Sequence, residues 1–263
     1  MVPISFITAW RQQAPWLYSE QVEQDLVICR ALVEIFSDEW LSSRLAFRGG
    51  TALHKLYLQP QPRFSVDIDL VQITAEPFGP LVNRIRDRLA FLGEPNRVLK
   101  AHNFTILYRF DSETPPVLPL KLKVETNTRE HFCLLGFQEL PFAVTSGWFE
   151  GASLLTTYRL EELLATKMRA LYQRKKGRDL YDLYTALTQI PGLDPHLLIR
   201  CYHTYMKFAV ATPPSKSEFL ANVHAKILDP DFLGDTKALL RPGLAYDPIV
   251  AYQVVKSSLL DLI

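Results

Sequence analysis

Arg63-Phe64-Ser65-Val66-Asp67-Ile68-Asp69-Leu70 is the stretch on which the fold turns. Apolar and polar residues alternate through it without error. Phe64, Val66, Ile68 and Leu70 fall on one face; Ser65, Asp67 and Asp69 fall on the other. A period of two is that of a β-strand, so a strand with one buried face is expected over Phe64–Val71. Because a strand rises about 3.3 Å per residue, Asp67 and Asp69 stand about 6–7 Å apart at the backbone on a shared face. Carboxylates so placed converge readily on divalent cations. Hard oxygen donors suit Mg2+, which keeps waters and substrate phosphates as its remaining ligands. Two such ions about 3.5–4 Å apart would clamp the attacking and leaving oxygens of a displacement. Taken alone, an Asp-x-Asp pattern is more often the solvated face of a strand.

Two neighbouring blocks change that balance. Upstream, Leu45–Phe47 reads as a short strand, Gly49-Gly50 as a turn and Thr51–Leu58 as a helix. Glycine lets backbone amides approach a phosphate, and the start of a helix favours anions. Downstream, a strand is expected over Val117–Thr126, with Leu120, Leu122 and Val124 on one face and Lys121, Lys123 and Glu125 on the other. If that strand lies beside the acidic one, Glu125 is a third carboxylate for a metal pair.

The chain is 263 residues long, 48% hydrophobic and 22% charged, the profile of an ordinary globular protein with a real core. Lys and Arg total 29 against 28 for Asp and Glu, a net charge of +1. This excludes a globally basic coat for nucleic acid and leaves room for a local patch. Cys29, Cys133 and Cys201 form no CxxC pair, which excludes a disulfide framework and a Cys-rich zinc module and fits a reducing cytoplasm. No run approaches about 18 apolar residues, and Met1–Trp10 lacks the basic region of a signal peptide. His54, His102, His131, His196 and His203 do not stand at zinc-ligand spacings, and no P-loop, GxGxxG or GxSxG occurs.

Ala14–Asp38 has the apolar stripe of a helix (Val22, Leu26, Cys29, Leu32, Val33). Gln59–Pro62 reads as a loop, Leu81–Leu92 as a helix and Phe104–Phe110 as a strand, and the looser Phe132–Tyr158 holds a further strand. From Arg159 the texture becomes helical, with Arg159–Tyr172 and Asp179–Leu187 as helices and Pro-rich breaks beyond. The expected fold class is α+β, with an α/β domain over 1–155 and a mainly α-helical domain over 156–263.

In the first of these helices, Leu160, Leu163, Leu164, Met168 and Leu171 form the apolar stripe, and Lys167 lies on or beside it, where lysine is unusual. It is either a snorkelling side chain or a cation directed at a triphosphate. Asp179 and Asp182 share one face of the next helix, a place where acids also simply complement a helix N-terminus. Lys167, Arg169, Arg174, Lys175, Lys176 and Arg178 occur without an intervening acid. Such a run is a solvated face or a phosphate-binding one; on the second reading Arg174, Lys175, Lys176 and Arg178 contact RNA. Tyr172, Tyr181 and Tyr184, interleaved with it, read as packing residues.

Gly49-Gly50-Thr51, then Asp67-Ile68-Asp69, then an acid on a later strand, resembles the polymerase-β-type nucleotidyltransferase superfamily. Within it, Phe47-Arg48-Gly49-Gly50-Thr51-Ala52-Leu53-His54-Lys55, the Arg63–Leu70 stretch and Arg178-Asp179-Leu180-Tyr181-Asp182-Leu183 resemble the AbiEii/AbiGii abortive-infection toxins, the family that includes the MenT nucleotidyltransferase toxins. One departure is the sixteen residues between Gly50 and Asp67, more than the superfamily usually has; the Gln59–Pro62 loop can hold the surplus.

The resemblance implies a polymerase-β-like domain with a mixed or antiparallel sheet, followed by helices that contribute Lys167 and Asp182. It implies two Mg2+ ions (or Mn2+) on Asp67, Asp69 and Glu125, and a nucleoside triphosphate (NTP) held by Gly49, Gly50, Thr51, Ser65 and Lys167. Asp182, 15 residues after Lys167, is preferred over Asp179 as the last catalytic acid, and Asp179 is expected to hold Arg178 or the helix start. The implied reaction moves a nucleoside monophosphate to the 3′ end of tRNA, blocking translation, with a cognate antitoxin as partner. Ser65 is implied as a phosphorylation switch. The alternatives are a nucleotide-binding module acting through a protein partner, a protein-modifying nucleotidyltransferase, and a two-metal nuclease.

Overall fold

The strand periodicity is realised in a mixed seven-stranded sheet. The computed structural model describes residues 1–100 and 103–263, so His102 lies outside the described residues. The chain divides into two units, Met1–Leu56 with Arg63–Tyr158, and Tyr57–Pro62 with Arg159–Ile263.

The first unit contains strands β1 (Leu45–Arg48), β2 (Asp67–Gln72), β3 (Asn96–Lys100), β4 (Asn103–Asp111), β5 (Pro119–Asn127), β6 (Phe137–Thr145) and β7 (Glu150–Tyr158). Their order across the sheet is β3-β4-β5-β2-β1-β7-β6. The β2–β5 and β1–β7 pairs are parallel and the rest antiparallel. Its helices are α1 (Ile4–Trp10), α2 (Ser19–Phe36), α3 (Glu39–Ser42), α4 (Gly49–Ala52) and α5 (Gly79–Arg88).

Helix α2 packs on β2, β5, β6 and β7 and is the spine of this core. Val22, Leu26, Val27, Ile28, Ala31, Leu32 and Ile35 are fully or almost fully buried along it. The helix expected over Ala14–Asp38 instead runs from Ser19 to Phe36; Pro15 keeps it from starting at Ala14. Buried polar groups on α2 fix two segments that matter for the site. Gln24 Nε2 donates to the Lys121 carbonyl at 2.6 Å, holding β5. Asp25 accepts from Lys55 Nζ at 2.6 Å and from the Trp10 indole at 3.0 Å, holding the turn that follows β1. Burial would lower the Lys55 pKa, but the Asp25 charge outweighs it and raises that pKa above its ordinary value. Burial also pushes the neighbouring Cys29 thiol up to about 12, so it is an inert packing group.

Several elements differ from the sequence expectation. The acidic strand pairs only from Asp67 onward; Phe64 is still buried, whereas Val66 is only half-buried. The Thr51 hydroxyl donates to the Asp67 carbonyl, and its oxygen lies 2.8 Å from the Ser65 hydroxyl, so side-chain bonds replace ladder bonds there. Instead of one helix over Thr51–Leu58, α4 makes a single turn and continues as a π-helix, Leu53–Tyr57. The Phe132–Tyr158 stretch yields two strands, β6 and β7, in register from Phe137↔Tyr158 to Thr145↔Glu150. The Ser146 hydroxyl accepts from the amides of Trp148 and Phe149 at 3.3 and 3.0 Å and closes that hairpin. Strand β3 was not foreseen, since its short Asn-Arg-Val-Leu-Lys sequence carries no clear alternation.

The second unit is helical: α6 (Leu160–Gln173), α7 (Gly177–Gln189), α8 (Pro195–Ala209), α9 (Lys216–Ile227), α10 (Pro230–Gly234) and α11 (Pro248–Ser258). Asp194, Asp229 and Asp247 each cap a helix whose first residue is proline, accepting two backbone N–H groups apiece. Pro195, read from sequence as a break, therefore opens α8. The Tyr57–Pro62 segment joins this unit through the Arg241 amide, which donates to the Pro62 carbonyl at 3.0 Å. Among the described residues no helix is long and apolar enough to cross a membrane.

Candidate active site

The parallel register of β2 and β5 sets Asp67 opposite Lys123 and Asp69 opposite Glu125. Ile68 and Leu70 point into the core at 0% and 1% exposure, so Asp67 and Asp69 face outward. The sheet thus brings the three predicted carboxylates onto one face of adjacent strands. It also brings a residue that sequence reasoning did not assign to the site. Lys123 Nζ lies 2.8 Å from Glu125 Oε2 and 3.6 Å from Asp67 Oδ2. From β4, Asn103 Nδ2 donates to Glu125 Oε1 at 3.2 Å. Asp67, Lys123 and Glu125 are each about one-third exposed (34%, 34% and 32%), so the cluster is open to solutes. Burial would lower the Lys123 pKa, yet the hydrogen bond its ammonium donates to Glu125 and the charges of Asp67, Glu125 and Asp69 raise it on balance. Lys123 shares a face with Glu125 in the sequence, but only the β2–β5 pairing carries its ammonium to Asp67.

Gly49 closes the other side of the cluster. Its φ is +83°, and a Cβ there would stand 2.1 Å from Asp69 Oδ2. Glycine is therefore required twice, for the backbone conformation and for the approach of the Asp69 carboxylate. Gly50 and Thr51 follow inside α4, both buried, and Thr51 ties Ser65 and Asp67 as described. All seven predicted positions of this unit (Gly49, Gly50, Thr51, Ser65, Asp67, Asp69 and Glu125) belong to β1–α4 or to the acidic segment and its neighbour β5.

Among the described residues, no three His, Cys, Asp or Glu side chains are drawn together as a ready metal-binding group. The cation standing against Asp67 and Glu125 is the Lys123 ammonium. The donor set is nevertheless all oxygen, anionic and solvent-accessible, and it already accommodates a positive charge. These residues suit a hard divalent cation once Glu125 is released from Lys123.

In the helical unit, Lys167 is 6% exposed and its Nζ lies 2.8 Å from Asp182 Oδ2 and 3.3 Å from Asp179 Oδ1; both carboxylates are fully buried. Asp179 does not hold Arg178. It takes Arg174 in a bidentate pair, Nε at 2.6 Å and one terminal nitrogen at 2.7 Å. Burial alone would raise the Asp179 pKa, but the Lys167 charge and the Arg174 hydrogen bonds hold it below the ordinary carboxylate range. Arg178 turns instead to Asp235, which also receives Lys176 at 3.6 Å, and Lys175 pairs with Asp229. Each basic residue picked out for RNA contact thus has an acidic partner within its own unit. The three tyrosines pack: Tyr172 on Phe219, Tyr181 and Tyr184 on Tyr246.

MenT4, a nucleotidyltransferase toxin from Mycobacterium tuberculosis, superposes with a TM-score of 0.59 at 16% identity, covering 100% of this chain and 99% of that one. JHP933 from Helicobacter pylori superposes with a TM-score of 0.57 at 16% identity, covering 92% and 91%. At that identity the likeness shows a shared fold alone, a mixed sheet followed along the chain by helices. No curated protein matches the sequence significantly. The family model described as nucleotidyl transferase AbiEii toxin, type IV toxin–antitoxin system, matches residues 30–250. With most of its length inside that match, the chain belongs to the AbiEii family of nucleotidyltransferase toxins.

Proposed function

We propose that this protein transfers a nucleoside monophosphate from an NTP to the 3′ end of tRNA in the cytoplasm, in a reaction dependent on Mg2+ or Mn2+, and so halts translation until a cognate antitoxin counters it. Membership of the AbiEii family supports the transferase and toxin part. The observation that carries the chemistry is the acidic face: Asp67, Asp69 and Glu125 on paired strands, with Gly49 pressed against Asp69. In this reading those carboxylates would hold the divalent cation, which when bound supplies neutralising charge to the phosphoryl oxygens. Gly49, Gly50, Thr51 and Ser65 bind the nucleotide phosphates; the small turn, with the Thr51 hydroxyl beside that of Ser65, supports that role.

The acceptor hydroxyl oxygen attacks the α-phosphorus. A new P–O bond forms as the bond to the bridging oxygen of the β-phosphate breaks. Pyrophosphate leaves with the electron pair, and the hydroxyl proton passes to a neighbouring carboxylate base. Lys167 is assigned to offset charge on the departing pyrophosphate, with Asp182 as the carboxylate that orients it; their 2.8 Å contact supports the pairing. Arg174, Lys175, Lys176 and Arg178 are partly exposed and would exchange their acidic partners for RNA phosphates.

The test incubates the protein with each α-labelled NTP, Mg2+, and total RNA or total protein. Label in tRNA with matching pyrophosphate release is expected. Label on protein alone moves the acceptor, and label in neither overturns transfer. In bacteria, wild type should arrest growth and Asp67→Ala should not; equal toxicity would favour a module that acts by docking to a partner.

A further inference from the structure

The acidic face already carries a cation, and it is the protein's own. Lys123 lies on the same face as Asp67 and Glu125, because its position in β5 is opposite Asp67 and two residues before Glu125. Its ammonium stands against both carboxylates, at 3.6 and 2.8 Å. We propose that Lys123 is a displaceable counter-ion: it holds Asp67 and Glu125 together in the absence of a divalent cation and competes with that cation for the same oxygens. The inference rests on the proposed function for the identity of the competing ion.

The two groups that hold Glu125 differ in a way that makes this specific. Asn103 is a neutral donor to Oε1 and can stay in place beside a metal ion. The ammonium on Oε2 cannot, because it would repel a divalent cation at short range. Lys123 is one-third exposed on a four-carbon stem, so it has a path away from the carboxylates. Loading the site is then a cation exchange. A free divalent ion binds weakly, because the ammonium must be released without a new partner. Nucleotide phosphates offer that partner, so ion and nucleotide bind cooperatively. Lys123 is on this account a positioning residue that makes the site prefer the metal–nucleotide complex over the bare ion.

The experiment measures Mn2+ binding to the full chain without nucleotide, by electron paramagnetic resonance of free Mn2+, for wild type, Lys123→Met, Lys123→Gln and Asn103→Ala. Folding of each is checked by circular dichroism. Removing the charge should tighten Mn2+ binding about tenfold in both Lys123 variants, as expected for one unit charge at this distance in a partly solvated site. Asn103→Ala, which alters no charge, should change it little, and Asp67→Asn in the Lys123→Met background should abolish the gain. Adding a non-hydrolysable NTP analogue should tighten Mn2+ binding to wild type more than to Lys123→Met. Equal or weaker binding in both Lys123 variants, or an equal gain in Asn103→Ala, would overturn the inference. Transfer to tRNA is assayed in parallel on wild type. Transfer without the Lys123 effect refutes the counter-ion alone, and the Lys123 effect without transfer refutes the proposed function alone.

Discussion

Gly49→Ala is the substitution for which the structure gives the sharpest expectation. Two costs add. An L-residue at a φ of +83° is in the left-handed region, which costs about 1–2 kcal/mol. The new methyl would also stand 2.1 Å from Asp69 Oδ2, 2.8 Å from its Cγ and 2.9 Å from its Cβ. All three are far inside van der Waals contact, so the Asp69 carboxylate must swing away and β2 must shift slightly, an overpacking cost of about 1–3 kcal/mol. The total, about 2–5 kcal/mol, is a large part of the stability of an ordinary domain. Urea unfolding should show a lower midpoint at unchanged slope. The steric share is separable by a double-mutant cycle. Asp69→Ala removes the two nearest side-chain groups that differ from alanine, so Gly49→Ala should cost about 1 kcal/mol less in that background. A Gly49→Ala midpoint equal to wild type would refute the whole argument. An undiminished cost in the Asp69→Ala background would refute the contact and leave only the backbone contribution.

Two further perturbations test groups away from that turn. Burial raises the Glu23 carboxyl from 4.5 to about 7, against the lowering pull of the N-terminal ammonium. The folded chain keeps a proton there that the unfolded chain loses. The stability from this group is full below about pH 4.5 and is lost as pH rises through about 7, at most about 3 kcal/mol in all. Glu23→Gln should flatten the fall in melting temperature between pH 5 and 8; parallel curves for the two proteins would sink the assignment. Lys167→Met strips one cation from two fully buried carboxylates at 2.8 and 3.3 Å. It should lower stability by about 3–5 kcal/mol in denaturant titrations, because the charge left behind is buried. A loss near zero would mean that Arg174 alone satisfies the pair.

How far the molecule could be read from its residues depends on the range of the signal. Asp67 and Asp69 share a face because alternation is local, and that follows from the order of side chains alone. The place of Lys167 on a buried stripe is equally local, and its 6% exposure agrees with it. The Gly-Gly-Thr turn between a strand and a helical turn was visible for the same reason, although its continuation as a π-helix was not. The β6–β7 hairpin was blurred because Phe137–Thr145 alternates imperfectly, and β3 because it is too short to show a period.

What sequence periodicity determined here is which side chains face the same way along one element: the two aspartates of β2, the lysine and glutamate of β5, the apolar stripes of α2 and α6. The tertiary structure decided which elements meet and in what register. It alone sets Asp69 abreast of Glu125, slides the Lys123 ammonium between Asp67 and Glu125, crowds Gly49 against Asp69, and gives Asp179 to Arg174 rather than to Arg178. The reason is physical. Periodicity is a property of a few consecutive residues, whereas pairing between strands some fifty positions apart is settled by how the whole core packs.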